Sequence, residues 1–366
     1  MASPNRSAVH IFCTVVDNYG DAGVCLRLAR HYARQGSDTT LVIDRPELID
    51  QMMPNWRSEP GLSVQFGAPN LAESPQPIEL TVIEAFQHDA PLDYRVALEE
   101  LHASGTTVQR ITLDYLATEP WATSHQGLVS PDLEVKRVLA ERGLTVNSTG
   151  PAATRKWFAP SFDSQGFPLI HDDFMEATPE QRQQMRARLG ATQEDDFLVM
   201  AFGYPDAPWD ELKQAFDTNG LPPGFQRAGF WHPKGLELTQ DQFDTALQAC
   251  DLNFVRGEDS FVRAHWAAAS RWQVPFVWQP YRQDGQAHAD KLNGWLDHLK
   301  AKVGDLEAYR AFTWSFNGLA ETPDPSSSCK TLIHHWLDIS EKLSRFGRDL
   351  LARDSTTDKP LHDLLR

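Results

Sequence analysis

Two carboxylates, Asp17 and Asp21, lie four residues apart in a polar turn near the amino end of the chain. The run 8–16 before them is rich in β-forming residues and predicts a buried strand, whereas residues 22–35 show the apolar spacing of a helix. Turns of this kind carry catalytic groups in α/β folds, so the two acids are candidates for acid–base chemistry. The alternative is that both residues cap the helix beside the positive end of its dipole.

A second turn of the same kind carries groups suited to an anion. Gly257 lets the backbone approach a ligand, and the first turn of a predicted helix, 259–269, presents N–H groups that bind phosphate without a metal. Arg256 adds a fixed positive charge. A diphosphate here would need the Glu258 carboxylate to turn away or to bond a sugar hydroxyl. The alternative is a surface ion pair of Arg256 with Asp259 beside an acidic first turn.

Aromatic residues end two of the predicted strands. Phe202 and Tyr204 end one strand, and Tyr281 ends another, with Gln283 just beyond it. Rings at strand ends can stack on a nucleobase, and an amide can bond its edge. The alternative is that these rings belong to the core or to the wall of a cleft. The sequence has no GxGxxG, GxxxxGK or GxSxG motif, so dinucleotide, phosphate-loop and serine-hydrolase sites are not supported.

Strands and helices alternate along the chain, with a break in the middle. The predicted strands are 8–16, 40–44, 62–66, 80–86, 108–113, 144–146, 197–204, 228–231, 252–255 and 275–281. This order predicts two doubly wound, Rossmann-like α/β domains that face a central cleft, with ligands at the carboxyl ends of the strands. We expect an N-terminal domain at 1–155, a proline-rich linker at 156–178 and a C-terminal domain at 179–345. Residues 346–366 form a helix and tail, for which we consider packing back on the first domain.

Composition limits the class of protein. The chain has 366 residues, 41% of them apolar, and a formal net charge of −16. That excess of acid argues against a general nucleic-acid binder and against a protein held on anionic lipid. No apolar run approaches the roughly 18 residues that span a bilayer. Four cysteines without a CxxC pair predict neither a disulfide framework nor a zinc site, and a reducing cytoplasm fits best.

Several blocks together are specific enough to identify a family. The strong blocks are 11–13, 16–24, 27–30, 250–264 and 275–278, followed by Tyr281, Gln283, His288, Lys291 and Leu292; weaker ones are 82–86 and 114–116 with Trp121. Their order and spacing resemble the EarP family of protein-arginine rhamnosyltransferases, which modify bacterial translation elongation factor P. The resemblance extends over nearly the whole chain.

The resemblance implies a GT-B glycosyltransferase with the acceptor on the N-terminal side and the donor on the C-terminal side. It implies dTDP-β-L-rhamnose as donor, one arginine of elongation factor P as acceptor, inversion at the anomeric carbon, and no metal or other cofactor. Neither nucleic acid nor membrane is an expected partner.

The resemblance also assigns roles to individual residues. The catalytic acids would be Asp17, Asp21 and Glu258, and the acceptor-side loop would include Asn18, Tyr19 and Gly20. The donor-binding residues would be Phe202, Tyr204, Phe254, Arg256, Gly257, Asp259, Ser260, Tyr281 and Gln283. The chain departs from the family pattern by extra residues around 269–273 and by Arg282 in place of an expected proline.

The chemistry of arginine suggests different roles for Asp17 and Asp21. The pKa of arginine lies above about 12, so a carboxylate cannot simply hold it deprotonated, but it can orient the guanidinium and take a proton as the C–N bond forms. Our hypothesis is that Asp21 is the general base and Asp17 orients the acceptor. The competing hypotheses are a GT-B enzyme with another sugar nucleotide or acceptor, and a sugar-nucleotide sensor that only binds.

Overall fold

The computed structural model describes residues 7–16, 19–72, 77–143, 153–163, 166–170, 174–233, 238–282, 286–320 and 324–356. The described residues up to 170 belong to one compact unit and those of 174–356 to another, and each unit is built on a single sheet. Within these ranges, no helix combines the length and the apolar character needed to cross a bilayer.

The first unit is a seven-stranded sheet with its helices between the strands in sequence. Its strands are β1 (Ser7–Cys13), β2 (Asp38–Ile43), β3 (Leu62–Gln65), β4 (Glu79–Ala85), β5 (Thr107–Leu113), β6 (Leu128–Pro131) and β7 (Thr154–Phe158). Its helices are α1 (Gly20–Arg34), α2 (Pro46–Met52), α3 (Leu92–Ala103), α4 (Pro120–His125) and α5 (Leu133–Glu141), with one 3-10 turn at Trp56–Ser58.

The strand order of this sheet is β3-β2-β1-β4-β5-β7-β6, and every pair is parallel except β6 with β7. The chain runs outward from β1 to β3 and then returns to the other side of β1 as β4. The loops that follow β1 and β4 therefore leave the sheet in different directions, which is the switch point where α/β folds bind ligands. Ile11, opposite Leu41 and Ile83, is fully buried in the middle of the sheet.

Two details of the first unit differ from the sequence prediction. The first strand ends at Cys13 rather than at Val16, because the chain leaves the sheet there and Val16 is 78% exposed. Residues Thr154–Phe158 form β7 inside the sheet, although the linker was expected to begin at 156. Only Phe158 of this strand is buried, and the sequence Thr-Arg-Lys-Trp-Phe does not alternate between apolar and polar residues. The pattern that predicts a strand is therefore missing. The predicted strand 144–146 lies outside the described residues.

The second unit has a four-stranded parallel sheet. Its strands are β8 (Asp196–Ala201), β9 (Arg227–Trp231), β10 (Leu252–Arg256) and β11 (Phe276–Gln279). Its helices are α6 (Pro179–Arg188), α7 (Trp209–Asn219), α8 (Gln240–Ala249), α9 (Asp259–Ala269), α10 (Ala287–Val303), α11 (Glu307–Phe316), α12 (Pro325–His334) and α13 (Trp336–Thr356). The order β11-β10-β8-β9 reverses between β8 and β10, so the loops after these two strands form the switch point of this unit.

The last helix packs within the second unit. A Cβ atom added to Gly347 on α13 would stand 2.5 Å from the carbonyl oxygen of His265 on α9, so the two helices touch closely. The Phe346 ring also lies 5.7 Å from the His265 ring. Residues 346–356 therefore continue a helix of the second unit, and packing of the tail on the first domain stays a prediction. Residues 357–366 lie outside the described part of the chain.

Aromatic side chains fill the core around α9. Trp266, Trp278 and Trp295 are fully buried. The Phe261 ring stacks on Trp278 with centroids 3.8 Å apart. The indole N–H of Trp295 donates to Nε2 of His265 at 3.1 Å, and burial lowers the pKa of His265 to about 3. His265 is therefore a neutral core residue that fixes α9 in place.

Candidate functional site

Carboxylates hold the loop between β1 and α1 at two points. The N–H of Val15 donates to Oδ1 of Asp44, just after β2, at 3.0 Å. The N–H of Val16 donates to Oδ2 of Asp21 at 2.9 Å, and Asp21 is only 3% exposed. Asp21 thus orients the loop at the switch point of the first unit, and the loop in turn orients the carboxylate.

Asp21 lies inside the helix rather than at its cap. The helix α1 begins at Gly20, and Tyr19 occupies the N-cap position without a capping hydrogen bond from its side chain. Asp21 is therefore not the N-cap residue, although its charge is still favoured by the helix dipole in the first turn. Asp17 and Asn18 lie outside the described residues. The acceptor-side roles of all these residues remain predictions.

A buried ion-pair network lies beside the second loop of the same switch point. Arg110 donates to both carboxylate oxygens of Glu84, at 3.1 and 3.0 Å, and to Asp132 at 2.8 Å. Arg95 donates to the same Asp132 oxygen at 2.7 Å. The N–H of Ala90 donates to Glu84 at 2.9 Å, so the network also fixes the loop after β4.

This network was missed by the sequence reasoning. Burial raises the pKa of Asp132, but hydrogen bonds from Arg95 and from the N–H of Val135 lower it, to a net value of about 2. The available signal was Glu84 itself, because a glutamate within an apolar strand needs a buried partner. Its partners identify it as a structural acid.

Arg256 lies over two aromatic rings at the switch point of the second unit. Its Cζ atom is 5.3 Å from the centroid of the Phe202 ring and 5.5 Å from that of Tyr204. Phe243 on α8, which the sequence reasoning missed, packs edge-on against Phe202 at 5.8 Å. Three predicted donor-binding residues therefore come together here, and a guanidinium held against rings can present its N–H groups to a phosphate.

Tyr204 is held by several neighbours. Its N–H donates to Oε1 of Gln279 at 3.0 Å, and its carbonyl accepts from Nε1 of Trp209 at 2.9 Å. The guanidinium of Arg282 lies 4.3 Å from the ring centroid and donates to Asp206 at 2.6 Å. Arg282, the departure from the expected proline, thus places a second cation against the Tyr204 ring.

The turn after β10 depends on glycine. Gly257 has φ +73°, and a Cβ atom added there would lie 3.0 Å from the hydroxyl oxygen of Tyr281. The carbonyl of Gly257 accepts from Nε1 of Trp278 at 2.8 Å, which fixes the turn against β11. Tyr281 therefore stands against the predicted phosphate-binding turn. Gln283 lies outside the described residues.

The helix after this turn begins with an acid that pairs with a lysine. Glu258 occupies the N-cap position of α9, but its side chain does not cap the helix; Oε1 instead accepts from Nζ of Lys291 at 2.5 Å. Asp259 is the first helical residue, and the buried hydroxyl of Ser260 donates to the carbonyl of Arg256. Lys291 was part of the family resemblance, yet no sequence pattern paired it with Glu258.

Comparison with known proteins decides the family. The model of the EarP family, described as Elongation-Factor P (EF-P) rhamnosyltransferase EarP, matches residues 9–222 and 236–362. The chain belongs to the EarP family. The predictions of this family and of a glycosyltransferase enzyme are therefore confirmed.

Curated relatives agree with the EarP assignment. A protein-arginine rhamnosyltransferase of Pseudomonas putida is 27% identical over 96% of this chain and 97% of its own. One of Pseudomonas aeruginosa is 30% identical over 84% of this chain and 86% of its own. A solved structure described as "Structural basis for EarP-mediated arginine glycosylation of translation elongation factor EF-P" covers 94% of both chains, with a TM-score of 0.51 and 19% identity. That likeness shows a shared fold, and the predicted GT-B fold class is confirmed.

One donor-binding prediction for this EarP member needs correction. Phe254 is fully buried, with its ring 5.2 Å from Trp209 and 4.4 Å from Phe316, and so it belongs to the core. A parallel strand is covered on both faces, so only residues at or beyond its carboxyl end reach a ligand. Arg256 stands at that end of β10, whereas Phe254 lies two residues inside it.

Residues 269–273, which were predicted to be extra relative to the family pattern, contact another part of the second unit. Nε of Arg271 donates to Glu176 at 2.9 Å, and Nε1 of Trp272 donates to the carbonyl of Ala177 at 3.0 Å. They follow the carboxyl end of α9, roughly 16 Å along the helix from its amino end at 1.5 Å per residue. Residues 271 and 272 therefore join the end of α9 to the segment before α6.

In the described ranges, no group of three or more His, Cys, Asp or Glu side chains is arranged to hold a metal ion. The four cysteines are buried and free. A reaction without metal remains a prediction.

Proposed function

We propose that this EarP member transfers L-rhamnose from dTDP-β-L-rhamnose to one arginine of translation elongation factor P, in the cytoplasm, with inversion and without a metal. Family membership supports the sugar and the acceptor. The observation that carries the donor assignment is the Arg256 guanidinium over the rings of Phe202 and Tyr204, at the end of a parallel strand. Rings that can stack on a base, beside a fixed cation, suit a nucleoside diphosphate.

On the donor side, the protein stabilises a leaving anion. As the bond between the anomeric carbon and the diphosphate oxygen breaks, negative charge grows on the diphosphate. Arg256 and the first turn of α9, which contains Asp259 and Ser260, offer a cation and the positive end of a helix dipole to that charge. Gly257 lets the main chain come close to the phosphates.

The base of the donor would lie against aromatic side chains. Phe202 and Tyr204 supply the rings that Arg256 already contacts, and Tyr281 stands at the neighbouring turn. Gln283 would bond the edge of the thymine. These contacts favour a flat base without requiring a metal.

On the acceptor side, a carboxylate takes up the proton. A guanidinium nitrogen attacks the anomeric carbon from the face opposite the diphosphate, which inverts the configuration. The new C–N bond would leave an extra proton on that nitrogen, and Asp21 accepts it while Asp17 orients the guanidinium. The buried, hydrogen-bonded Asp21 carboxylate supports this role because its orientation is fixed before the acceptor arrives.

The direct test is the intact mass of elongation factor P after incubation with the purified chain and dTDP-β-L-rhamnose. We expect a gain of one deoxyhexose, and no gain when the acceptor arginine of elongation factor P is replaced by lysine. Reactions with dTDP-glucose and UDP-glucose serve as donor controls. No gain with any of these donors, together with transfer to a saccharide, would reject the proposed acceptor.

Stereochemistry and metal dependence are tested on the same product. Proton NMR of the rhamnosyl-arginine should show an α linkage if the β-linked donor is inverted, and a β linkage would contradict inversion. Activity should be unchanged by EDTA. A loss that only a divalent cation restores would contradict the metal-free mechanism.

A further inference from the structure

A carboxylate stands at the amino end of α9, where the proposed diphosphate would bind. Glu258 is the residue immediately before the helix, at the N-cap position. An acid at that position commonly accepts hydrogen bonds from the N–H groups of the first turn. Such bonds would occupy the groups that an anion needs, and the carboxylate would repel the diphosphate as well.

The structure shows the Glu258 carboxylate directed elsewhere. It makes no capping hydrogen bond to α9, and its Oε1 lies 2.5 Å from Nζ of Lys291. Lys291 comes from a different helix, α10, whose position is fixed by the fully buried side chains of Leu292 and Trp295. The ammonium that receives Glu258 is therefore placed by the core of the unit.

The pair differs from an ordinary surface ion pair. The Glu258 and Lys291 side chains are 12% and 17% exposed, whereas the Lys300–Glu307 pair, which starts from the same helix, is 55% and 66% exposed. Solvent and salt weaken an exposed pair strongly and a sheltered pair much less. Lys300 therefore provides a matched comparison for Lys291.

We propose that Lys291 is a positioning residue of the donor site. Its ammonium holds the Glu258 carboxylate away from the first turn of α9 and offsets its charge, so that the amino end of the helix is open to the diphosphate. Lys291 acts through Glu258, and this role rests on the proposed binding of the donor at α9. It resolves how an acid and a diphosphate can share one turn.

A double-mutant cycle tests whether Lys291 acts through Glu258. The variants are Lys291→Met, Glu258→Gln and the double variant, with Lys300→Met as control, and the probes are inorganic pyrophosphate and dTDP in calorimetry. Removing the cation from a charged hydrogen bond should weaken both probes about tenfold or more, because the charge of Glu258 beside the anion is no longer offset by the Lys291 ammonium. In the Glu258→Gln background, Lys291→Met should change affinity less than about twofold, and Lys300→Met should have no effect.

Each alternative outcome has a defined meaning. If Lys291→Met weakens binding equally in the wild-type and Glu258→Gln backgrounds, Lys291 contacts the phosphate itself. If it does not weaken binding in the wild-type background, Lys291 does not position Glu258. Either result overturns the proposal. Coupling seen with pyrophosphate but no binding of dTDP would reject the proposed donor and support the role of Lys291. A wild-type chain that binds neither anion would overturn both.

A second variant protects the test against misfolding. Lys291→Arg keeps the positive charge and should retain pyrophosphate affinity within about threefold if charge on α10 is what Glu258 needs. Adding Glu258→Gln to Lys291→Met should restore affinity, which a merely unstable protein would not do. If the affinity lost in Lys291→Met is not recovered in the double variant, positioning through Glu258 is excluded.

Discussion

Two strand-to-helix turns of this chain, β1–α1 and β10–α9, each lie beside the switch point of a sheet but hold their acids differently. Each turn follows a strand beside the switch point of its sheet and brings an acid to the start of a helix. In the first unit a backbone N–H five residues away holds Asp21. In the second unit a lysine from another helix holds Glu258.

The difference matches the charge that each turn is proposed to receive. A carboxylate held by a backbone N–H keeps its negative charge available to a cationic guanidinium. A carboxylate paired with an ammonium no longer opposes a diphosphate. The same turn can therefore serve a cationic acceptor in one unit and an anionic donor in the other. Substitutions that affect one turn and spare the other are the way to test this comparison.

The largest effect should come from Asp21. Asp21→Asn keeps the shape of the side chain and an oxygen for the Val16 N–H but removes the base, so the turnover rate with elongation factor P should fall by roughly 10²- to 10⁴-fold. The affinity for dTDP should stay within about twofold, since the donor is assigned to the other turn. Near-normal turnover by a correctly folded variant would show that Asp21 is not the base.

Asp44→Asn is the matched control for that experiment. Asp44 accepts from Val15 in the same loop, but it is exposed and has no proposed catalytic role. We expect this variant to retain turnover within a few-fold. An equally severe loss in both variants would mean that the loop conformation, and not the chemistry of Asp21, limits the reaction.

Arg256→Met should give the next largest effect, with the opposite signature. Hydrogen bonds to a charged group contribute about 1.5–3 kcal/mol, so the affinity for dTDP should fall by roughly 10- to 100-fold. Calorimetry with dTDP measures this directly. Arg310→Met, which removes a half-buried arginine paired with Asp297 on α10, is the control and should bind dTDP normally. An unchanged affinity in Arg256→Met would separate Arg256 from the donor.

Local sequence was sufficient to predict much of this site. The helix 259–269 was predicted with the bounds that the structure has, because a glycine turn precedes it and a serine and a charged residue follow it. The start of α1 was placed two residues late, since the N-cap residue is Tyr19, whose side chain makes no capping hydrogen bond that would mark the boundary. Strand periodicity also could not reveal that Phe254 lies in the core, because both faces of a parallel strand are covered.

Ion pairs between residues far apart in the chain could not be predicted from the sequence. Lys291 and Glu258 are 33 positions apart, and Arg110 and Glu84 are 26 apart. Pairs of this kind depend on how helices and strands pack, which no spacing rule contains. The only indication in the sequence was the acid itself, because a buried carboxylate needs a partner and a distant cation could supply one.

Gly257→Ala should have a moderate effect, and a second glycine variant separates backbone strain from the steric clash with Tyr281. The positive φ of Gly257 costs an alanine about 1–2 kcal/mol, and its Cβ atom would also press on Tyr281. Gly318→Ala has a similar positive φ, +68°, with nothing within 4 Å of the added atom. Urea denaturation should show a comparable loss of stability in both variants, whereas only Gly257→Ala should weaken dTDP. Weaker dTDP binding in Gly318→Ala as well would mean that lost stability alone explains the effect.

The smallest effect should come from Arg282, whose guanidinium lies against the ring of Tyr204. A cation against an aromatic ring at an exposed position contributes about 0.5–1 kcal/mol, so Arg282→Ala should weaken dTDP by roughly two- to fivefold. Arg271→Ala removes a similarly exposed arginine, paired with Glu176, and should leave dTDP binding unchanged. Because Arg282 acts through Tyr204, its substitution should have no further effect in a Tyr204→Ala background. A loss as large as that of Arg256→Met would instead mean that Arg282 contacts the diphosphate, and the donor turn would then use two arginines rather than one.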